Sequence, residues 1–326
     1  MVIERRALKH FLDQLAVVAP DERRRLLASH VAAEAVWHVA HPVNDLVGID
    51  AIEQRLLVPL AKSFPRLVRR DDLFMAGPSR TGSGSWVATM GHYVGTFRQP
   101  LFGIEPHDRL ALLRYGEFYR LEDGRVVEAR MLLDFPDLAR QAGRPLLPHN
   151  LGAEILFPAP ASHDGVMLDD GDPSVADRSA GLVEAMLKDL ARYDPVTFDS
   201  PGQSGPDGYW HEDMLWYGPG GIGSNFAYAG FLKDHRVPFL EAFPDREGGN
   251  HYARFGDQAY VASGGWPSLT ATHLGTYLDV PATGKKIGMR VMDFWRVDGP
   301  KIMENWVFID MGDLLKQLGR DPFGGI

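Results

Sequence analysis

The chain contains no cysteine, so it can form no disulfide and can offer neither a thiol nucleophile nor a cysteine-based metal site. It has no block of basic residues, and its formal charge of -9 argues against a nucleic-acid surface. No apolar run is long enough to cross a membrane, and charges interrupt the apolar residues at the N-terminus, which predicts no signal peptide. We therefore expect a cytoplasmic protein with no nucleic-acid or membrane partner.

Several catalytic patterns are also missing. No nucleophile elbow and no Ser-His-Asp pattern is present, so covalent hydrolysis has no support. No pair of histidines has the helical spacing of a zinc site. The nearest candidate pair, His38 and His41, ends directly before Pro42. The glycine run at residues 218–223 lacks the Gly-Lys-Ser/Thr of a phosphate loop. The sequence predicts neither a metal nor a cofactor.

The chain does contain one domain-sized pattern written twice. Residues 115–144 match residues 291–320 at a constant offset, which pairs Asp134 with Asp310 and sets Glu117 opposite Asp293. A repeat this long is not the short period of a solenoid. The length of 326 residues also corresponds to about two ordinary domains. We predict a first domain at residues 1–150, a linker rich in Pro, Gly and Asp at 151–177, and a second domain at 178–326.

In each half, helical patterns come first and strand patterns follow. Residues 2–19 and 21–39 have helical spacing, and four stretches rich in β-branched and aromatic residues come after them. In the second half, two long strands are joined by a turn at Asp298, Gly299 and Pro300, and a short helix follows. Helices followed by a sheet predict an α+β fold, because a parallel α/β sheet would alternate the two.

Five short motifs in the second half occur in the order typical of one family. They are T-H-x-G-x-Y at residues 272–277, P-x-T-G-K-K at 281–286, D-F-W-R-x-D-G at 293–299, E-N-W-x-x-x-D at 304–310 and D-L-L-x-Q-L-G at 313–319. Together they resemble the SnoaL-like polyketide or ester cyclases, whose nuclear-transport-factor-like fold is shared with ketosteroid isomerase and scytalone dehydratase. The resemblance covers most of residues 209–323. It is weaker in the first half, where Arg130 replaces the tryptophan that matches Trp306.

The resemblance implies two tandem cone-shaped α+β barrel domains. Each would be a curved antiparallel sheet wrapped round helices, with an apolar pocket at its open end. Single-domain relatives pair through their sheets, so the two copies are expected to pack as an internal pseudo-dimer. Further pairing into a homodimer stays open.

The resemblance places the family's acid/base carboxylate on the last strand, at Asp310. Alternation along this strand puts Asp310 on the face of Trp306 and Phe308, where loss of water would raise its pKa. His273 could then protonate the new oxygen or polarise a carbonyl. Asp293, on the neighbouring strand, could orient His273 or serve as a second acid. Asp310 also precedes a helix, so a capping role stays open, as does a structural role for His273.

The predicted function is a cofactor-independent, aldol-type ring closure of a small apolar carbonyl substrate, polyketide-like or bearing an ester. An isomerase or dehydratase, or a module that only binds a small ligand or a protein partner, are the alternatives. The residues expected to line the cavity or bind substrate are Trp216, Tyr217, His235, Trp266, Trp306 and Phe308. For the acid/base candidates, the counterparts in the first half are Asp134, Glu117 and His92.

Overall fold

The computed structural model describes residues 5–154 and 157–324. Its first half is a sheet with helices packed against it. The helices are α1 (Arg5–Val17), α2 (Pro20–His30), α3 (Gly48–Ile52), α4 (Val58–Ser63) and α5 (Phe135–Gln141), with a π-helical turn, Glu53–Leu57, between α3 and α4. The strands are β1 (Val31–Val39), β2 (Asp45–Val47), β3 (Val68–Pro78), β4 (Ser85–Thr96), β5 (Leu110–Glu122) and β6 (Arg125–Leu133).

The second half repeats this arrangement. Its helices are α6 (Pro173–Leu190), α7 (Ala227–Phe231), α8 (Val237–Ala242) and α9 (Met311–Gln317), with a π-helical turn, Leu232–Arg236, between α7 and α8. Its strands are β7 (Trp210–Tyr217), β8 (Ser224–Phe226), β9 (Glu247–Gly248), β10 (His251–Asp257), β11 (Tyr260–Thr272), β12 (Lys286–Asp298) and β13 (Lys301–Ile309). The prediction of two α+β domains is confirmed.

The two sheets have equivalent strand orders. The first runs β2-β1-β6-β5-β4-β3 and the second runs β8-β7-β13-β12-β11-β10, with β9 paired to β11. Most neighbours are antiparallel, but β1 runs parallel to β6 and β7 runs parallel to β13. The sheets are therefore mixed, with one parallel pair each that the sequence pattern did not predict.

The parallel pair in the first sheet includes a strand that we predicted as helix. The helix predicted at residues 21–39 ends at His30, and Val31–Val39 forms β1. Alanines near its start have little strand preference, but pairing with β6 buries Ala35, Trp37 and Val39 on one side. Tertiary pairing therefore overrides local propensity here.

The turns between the last two strands of each half form as predicted. In the first half, Asp123 and Gly124 connect β5 to β6 with φ of 49° and 73°. In the second half, Gly299, with φ of 59°, lies in the turn from β12 to β13. Such positive φ values suit Asp and Gly, which explains why both hairpins were recognisable from the chain alone.

The outer faces of the two sheets pack against each other. Phe118 and Phe294, which occupy equivalent positions in the repeat, have ring centroids 5.7 Å apart. Phe308 packs so closely on Gly116 that a Cβ there would come within 3.0 Å of its ring. The segment after residue 156 runs across this contact, where Trp306 Nε1 donates to Pro158 O at 3.0 Å. The precise boundaries that we placed at residues 150 and 178 stay predictions, and α6 already begins at Pro173.

Candidate functional site

The second domain contains a cavity of about 530 Å³ between its sheet and its helices. Small-molecule sites commonly have volumes of roughly 300–1,000 Å³. Much of the wall is aromatic, with Trp210, Trp216, Phe231, Phe239 and Trp295 among the lining residues. The polar residues in this wall include Asp293, Asn305, Arg254, His235 and His251.

The cavity lies on the face of β13 opposite to the one predicted. Asn305, Val307 and Ile309 line it, whereas Trp306 and Phe308 lie in the core that the two domains share. Both faces of this sheet are buried, so alternation separates the faces without showing which one a ligand reaches. On β13, the large side chains of Trp306 and Phe308 fill the contact between the domains. The smaller side chains on the opposite face leave room for the cavity.

Asp293 lies on the cavity side of β12, in a row of residues that crosses the sheet. It is opposite Ser263 of β11 on one side and opposite Val307 of β13 on the other. Arg254 of β10 is in turn opposite Ser263. Directly opposed residues share a face of a sheet, so the whole row faces the cavity, and all its members line it.

The surroundings of Asp293 make its carboxyl group a usable acid or base near neutral pH. Burial raises the pKa of Asp293 to about 7, against smaller lowering effects of Asn305 and Arg254. Asn305 is held by a hydrogen bond from its Nδ2 to Phe294 O at 3.0 Å. A group that is half ionised near neutral pH can both accept a proton and return it.

Arg254 brings a positive charge to the same row. Its Nε donates to Ser263 Oγ at 3.2 Å. Burial lowers the pKa of Arg254, while Glu184 and Asp293 act in the opposite direction. Within residues 5–154 and 157–324, no carboxylate oxygen lies within 4.0 Å of its guanidinium. The guanidinium is therefore free to stabilise negative charge that develops on a bound oxygen.

Two histidines in the wall are uncharged at neutral pH. Burial, and secondarily Arg236, lowers the pKa of His235 to about 3, and its ring stacks on Trp216 with centroids 4.3 Å apart. Burial lowers the pKa of His251 to about 4, and its Nε2 lies 3.1 Å from Ser268 Oγ. Neutral imidazoles can hydrogen-bond to a ligand without adding charge.

Asp310 lies at the contact between the domains, outside the cavity wall. Its Oδ1 caps α9 by accepting from Asp313 N at 3.1 Å. Its Oδ2 accepts from His41 N and from Arg290 Nη1, both at 2.9 Å. Burial raises the pKa of Asp310 to about 6, and Arg290 opposes this most strongly. The observed contacts match the capping alternative, because the carboxylate is enclosed by protein donors.

His273 is also outside the cavity wall. It is fully buried next to Phe243, with ring centroids 5.4 Å apart, and its Nδ1 lies 3.1 Å from Thr283 Oγ1. Burial lowers the pKa of His273. The contact joins the T-H-x-G-x-Y motif, which contains His273, to the P-x-T-G-K-K motif, which contains Thr283. His273 therefore holds these two segments together.

The predicted cavity wall needs correction at four of its six positions. Trp216 and His235 line the cavity. Tyr217, Trp306 and Phe308 lie instead in the core shared by the domains, because they are on the other face of the sheet. Trp266 packs under Arg290, whose guanidinium lies 4.8 Å from its ring, near the same contact.

The first-half counterparts are held in internal hydrogen bonds. Asp134 caps α5 through Asp137 N at 3.1 Å and accepts from Gly220 N at 3.0 Å, which reproduces the contacts of Asp310. His92 Nδ1 lies 3.1 Å from Asp72 Oδ2 in a buried pair. Neither residue lines the cavity of the second domain or the small space at the corresponding position of the first.

The first domain has filled the position that corresponds to the cavity. Glu117, the counterpart of Asp293, pairs with Arg69 Nη2 at 2.7 Å and accepts from Tyr93 and Tyr119 at 2.7 and 2.8 Å. The space beside this group is about 30 Å³, enough for little more than a water molecule. Among residues 5–154 and 157–324, therefore, only those of the second domain leave room for a substrate-sized molecule at this position.

Sequence reasoning missed Arg254, Ser263 and Asn305. Asn305 is inside the E-N-W-x-x-x-D motif, and its alternation with Trp306 was a usable signal. Arg254 and Ser263 carried none, because their position depends on strand register across β10, β11 and β12. Register is a long-range property that no local spacing reveals.

The part of the chain that the structure describes contains neither a metal-binding cluster nor a membrane-spanning helix. Within it, no group of three or more His, Asp or Glu side chains is arranged to hold a metal ion. No helix among the same residues combines the length and apolar character needed to cross a membrane.

Comparison with known families gives a match in each half. Residues 10–142 and 204–318 match the model of the SnoaL-like polyketide cyclases, so more than half of the chain is covered. The chain belongs to the SnoaL-like polyketide cyclase family. The two matched segments correspond to the two sheets, which are therefore tandem copies of the family's domain. Membership of this family supports a function of the cyclase or isomerase type on a small molecule.

Three solved structures each match less than half of this chain over most of their own length. AclR, a putative hydroxylase from Streptomyces galilaeus, is 24% identical, with a TM-score of 0.35, over 44% of this chain and 87% of its own. IdmH, a putative polyketide cyclase from Streptomyces antibioticus, is 19% identical, with a TM-score of 0.34, over 41% of this chain and 97% of its own. TsrD from Streptomyces laurentii is 16% identical, with a TM-score of 0.36, over 44% of this chain and 99% of its own. No curated protein matches the chain.

Proposed function

We propose that the second domain catalyses a cofactor-independent ring closure of a carbonyl compound, with Asp293 as the acid/base group. The observation that supports this most directly is the position of Asp293 on the wall of a cavity of about 530 Å³, where burial raises its pKa to about 7. A general base is most effective when its pKa lies near the working pH, so this shift suits abstraction of a proton from carbon. The assignment replaces Asp310, whose oxygens are occupied by protein donors.

The proposed reaction has three steps: proton abstraction, carbon–carbon bond formation and return of the proton. The Asp293 carboxylate removes a proton from the carbon next to a carbonyl, and the electron pair of that C–H bond forms an enolate. Arg254 stabilises the negative oxygen. The enolate carbon then bonds to a second carbonyl carbon of the same molecule, whose π electrons become an alkoxide. The alkoxide takes the proton back from the Asp293 carboxyl group, so nothing is oxidised, reduced or lost.

The cavity wall supports folding of the substrate. Trp216 and Trp295 offer flat apolar surfaces on which a polyketide-like chain or ring can lie. Positioning of both reacting carbons in one molecule supplies much of the rate gain in such a reaction. An isomerase would use the same base and return the proton to another carbon.

Proton abstraction can be tested without knowing the natural substrate. We would follow exchange of the α-protons of 1-tetralone, a bicyclic ketone, in D₂O by proton NMR, with the wild type, Asp293→Asn and Asp310→Asn. Loss of a general base typically costs about 10²–10⁴-fold in rate, so Asp293→Asn should reduce enzymatic exchange to that extent. Asp310→Asn, measured on folded protein, should retain it. Equal exchange by the wild type and Asp293→Asn would reject the assignment.

A further inference from the structure

The cavity contains more positive charge than the proposed proton transfer needs. Three arginines line it, Arg236, Arg246 and Arg254, against two carboxylates, Asp293 and Glu247. Within residues 5–154 and 157–324, none of the three guanidinium groups has a carboxylate oxygen within 4.0 Å. Unpaired cations in a cavity wall are costly to desolvate, and a bound anion would offset that cost.

The three arginines differ in how their donors are used. Arg236 is satisfied by neutral acceptors: its Nη2 donates to Leu190 O and Ser200 Oγ, both at 2.8 Å, and its Nε donates to Phe198 O at 2.7 Å. Arg254 belongs to the row that contains Asp293. Arg246 remains, between α8 and β9, away from that row.

Arg246 is held in place by aromatic rings but is not satisfied. Its guanidinium carbon lies 4.8 Å from the ring centroid of Tyr193 and 5.9 Å from that of Phe239. Its Nη1 is buried and has no hydrogen-bond partner among the described residues. Cation–π contacts fix the plane of the guanidinium but leave its in-plane donors unused. A planar acceptor such as a carboxylate matches donors arranged in this way.

We propose that the substrate carries a carboxylate group, which Arg246 binds while the carbonyl that reacts lies against Asp293 and Arg254. This inference rests on the proposed function of the same cavity and adds the substrate class, a keto acid with an apolar body. A single negative charge suits the site, because Arg236 spends its donors on neutral oxygens and no lysine lines the cavity among the described residues. The aromatic wall then holds the apolar body between the two polar ends.

The test compares a carboxylate with its uncharged ester. Binding of 1-naphthylacetate and of methyl 1-naphthylacetate would be measured by isothermal titration calorimetry with the full-length wild type, Arg246→Gln and Arg246→Lys. A charge-assisted hydrogen bond in a buried site should favour the acid over the ester by about 10-fold to 100-fold in Kd for the wild type. Arg246→Gln should lose this preference while binding the ester as before, which also shows that its cavity is intact. Arg246→Lys should keep part of it.

A matched control and a second variant separate this inference from the proposed function. Arg192→Gln removes a positive charge from a side chain that is 73% exposed at the end of α6, so it should leave the preference unchanged. The preference for the acid should also persist in Asp293→Asn. Equal binding of acid and ester by the wild type, no saturable binding of the acid, or a preference that survives in Arg246→Gln would each overturn the inference. Retained proton exchange in Asp293→Asn would instead overturn the function alone.

Discussion

Replacing Asp293 with Asn should stabilise the protein at alkaline pH while it removes proton abstraction. Burial raises the pKa of this carboxyl group from 3.8 to about 7, so the folded state holds its proton more tightly than the unfolded state does. Between these two values the folded state binds more protons, and stability is therefore lost as pH rises. Asn has no charge to bury and avoids this loss.

The magnitude follows from the shift itself. A difference of about three pKa units, at about 1.4 kcal/mol each, gives a penalty of about 4 kcal/mol once the group is fully ionised in both states. Part of that penalty is already present at about pH 5, where the unfolded carboxyl group is ionised, and solvent screening of the half-buried Asp293 reduces the rest. We expect the stability advantage of Asp293→Asn over the wild type to grow by about 2 kcal/mol between about pH 5 and pH 8.

The measurement is urea unfolding followed by tryptophan fluorescence at both pH values. Asp279→Asn is the matched control, because Asp279 is exposed and its φ of 61° suits Asn equally well. Its stability relative to the wild type should not change with pH. A free-energy difference for Asp293→Asn that is the same at both pH values, or that falls as pH rises, would refute the argument that this carboxylate is desolvated.

Two further predictions concern the carboxylates outside the cavity. Asp310→Ala leaves Arg290 and the amide of His41 without their acceptor, and should lower the free energy of unfolding by about 3 kcal/mol in urea titrations, with the exposed Asp298→Ala as control. A loss below about 0.5 kcal/mol would contradict the capping role. Glu117→Gln removes one of the two carboxylates that pair with the buried Arg69, the other being Asp71, and should cost about 2 kcal/mol in the same assay, with α-proton exchange by folded protein unchanged. Loss of exchange in this variant would mean that the first domain also takes part in catalysis.

The hairpins could be predicted from the chain because their information is local. The Asp-Gly turns at residues 123–124 and 298–299, and the helices that begin after Asp134 and Asp310, depend on residues only a few positions apart. Because the same pattern occurs in both halves of the chain, it also predicted two domains. Strand β1 was missed because its partner, β6, lies almost a hundred residues away along the chain.

The site could be predicted only in part, for a related reason. Alternation placed Trp306 and Asn305 on opposite faces of β13, but nothing local shows that one face meets a second domain and the other a cavity. Trp306 and Phe308 were taken as a sign of the pocket, whereas they fill the contact between the domains. Asp293 was named among the candidates, but Arg254 joins it only through the register of three strands.

The paired carboxylates at the joint have a consequence for how the two copies can diverge. Asp310 accepts the amide of His41, and Asp134 accepts the amide of Gly220, which is the matching loop position in the other copy. Each copy thus donates one backbone N–H to a carboxylate of the other copy and accepts one in return. A substitution of either aspartate removes a hydrogen bond to the other copy, so it affects the structure of both. The contact between the domains therefore restrains sequence change in the two copies together. Among the described residues the two aspartates hold the joint and not the interiors, so the interior of one copy can be filled while the other keeps a cavity.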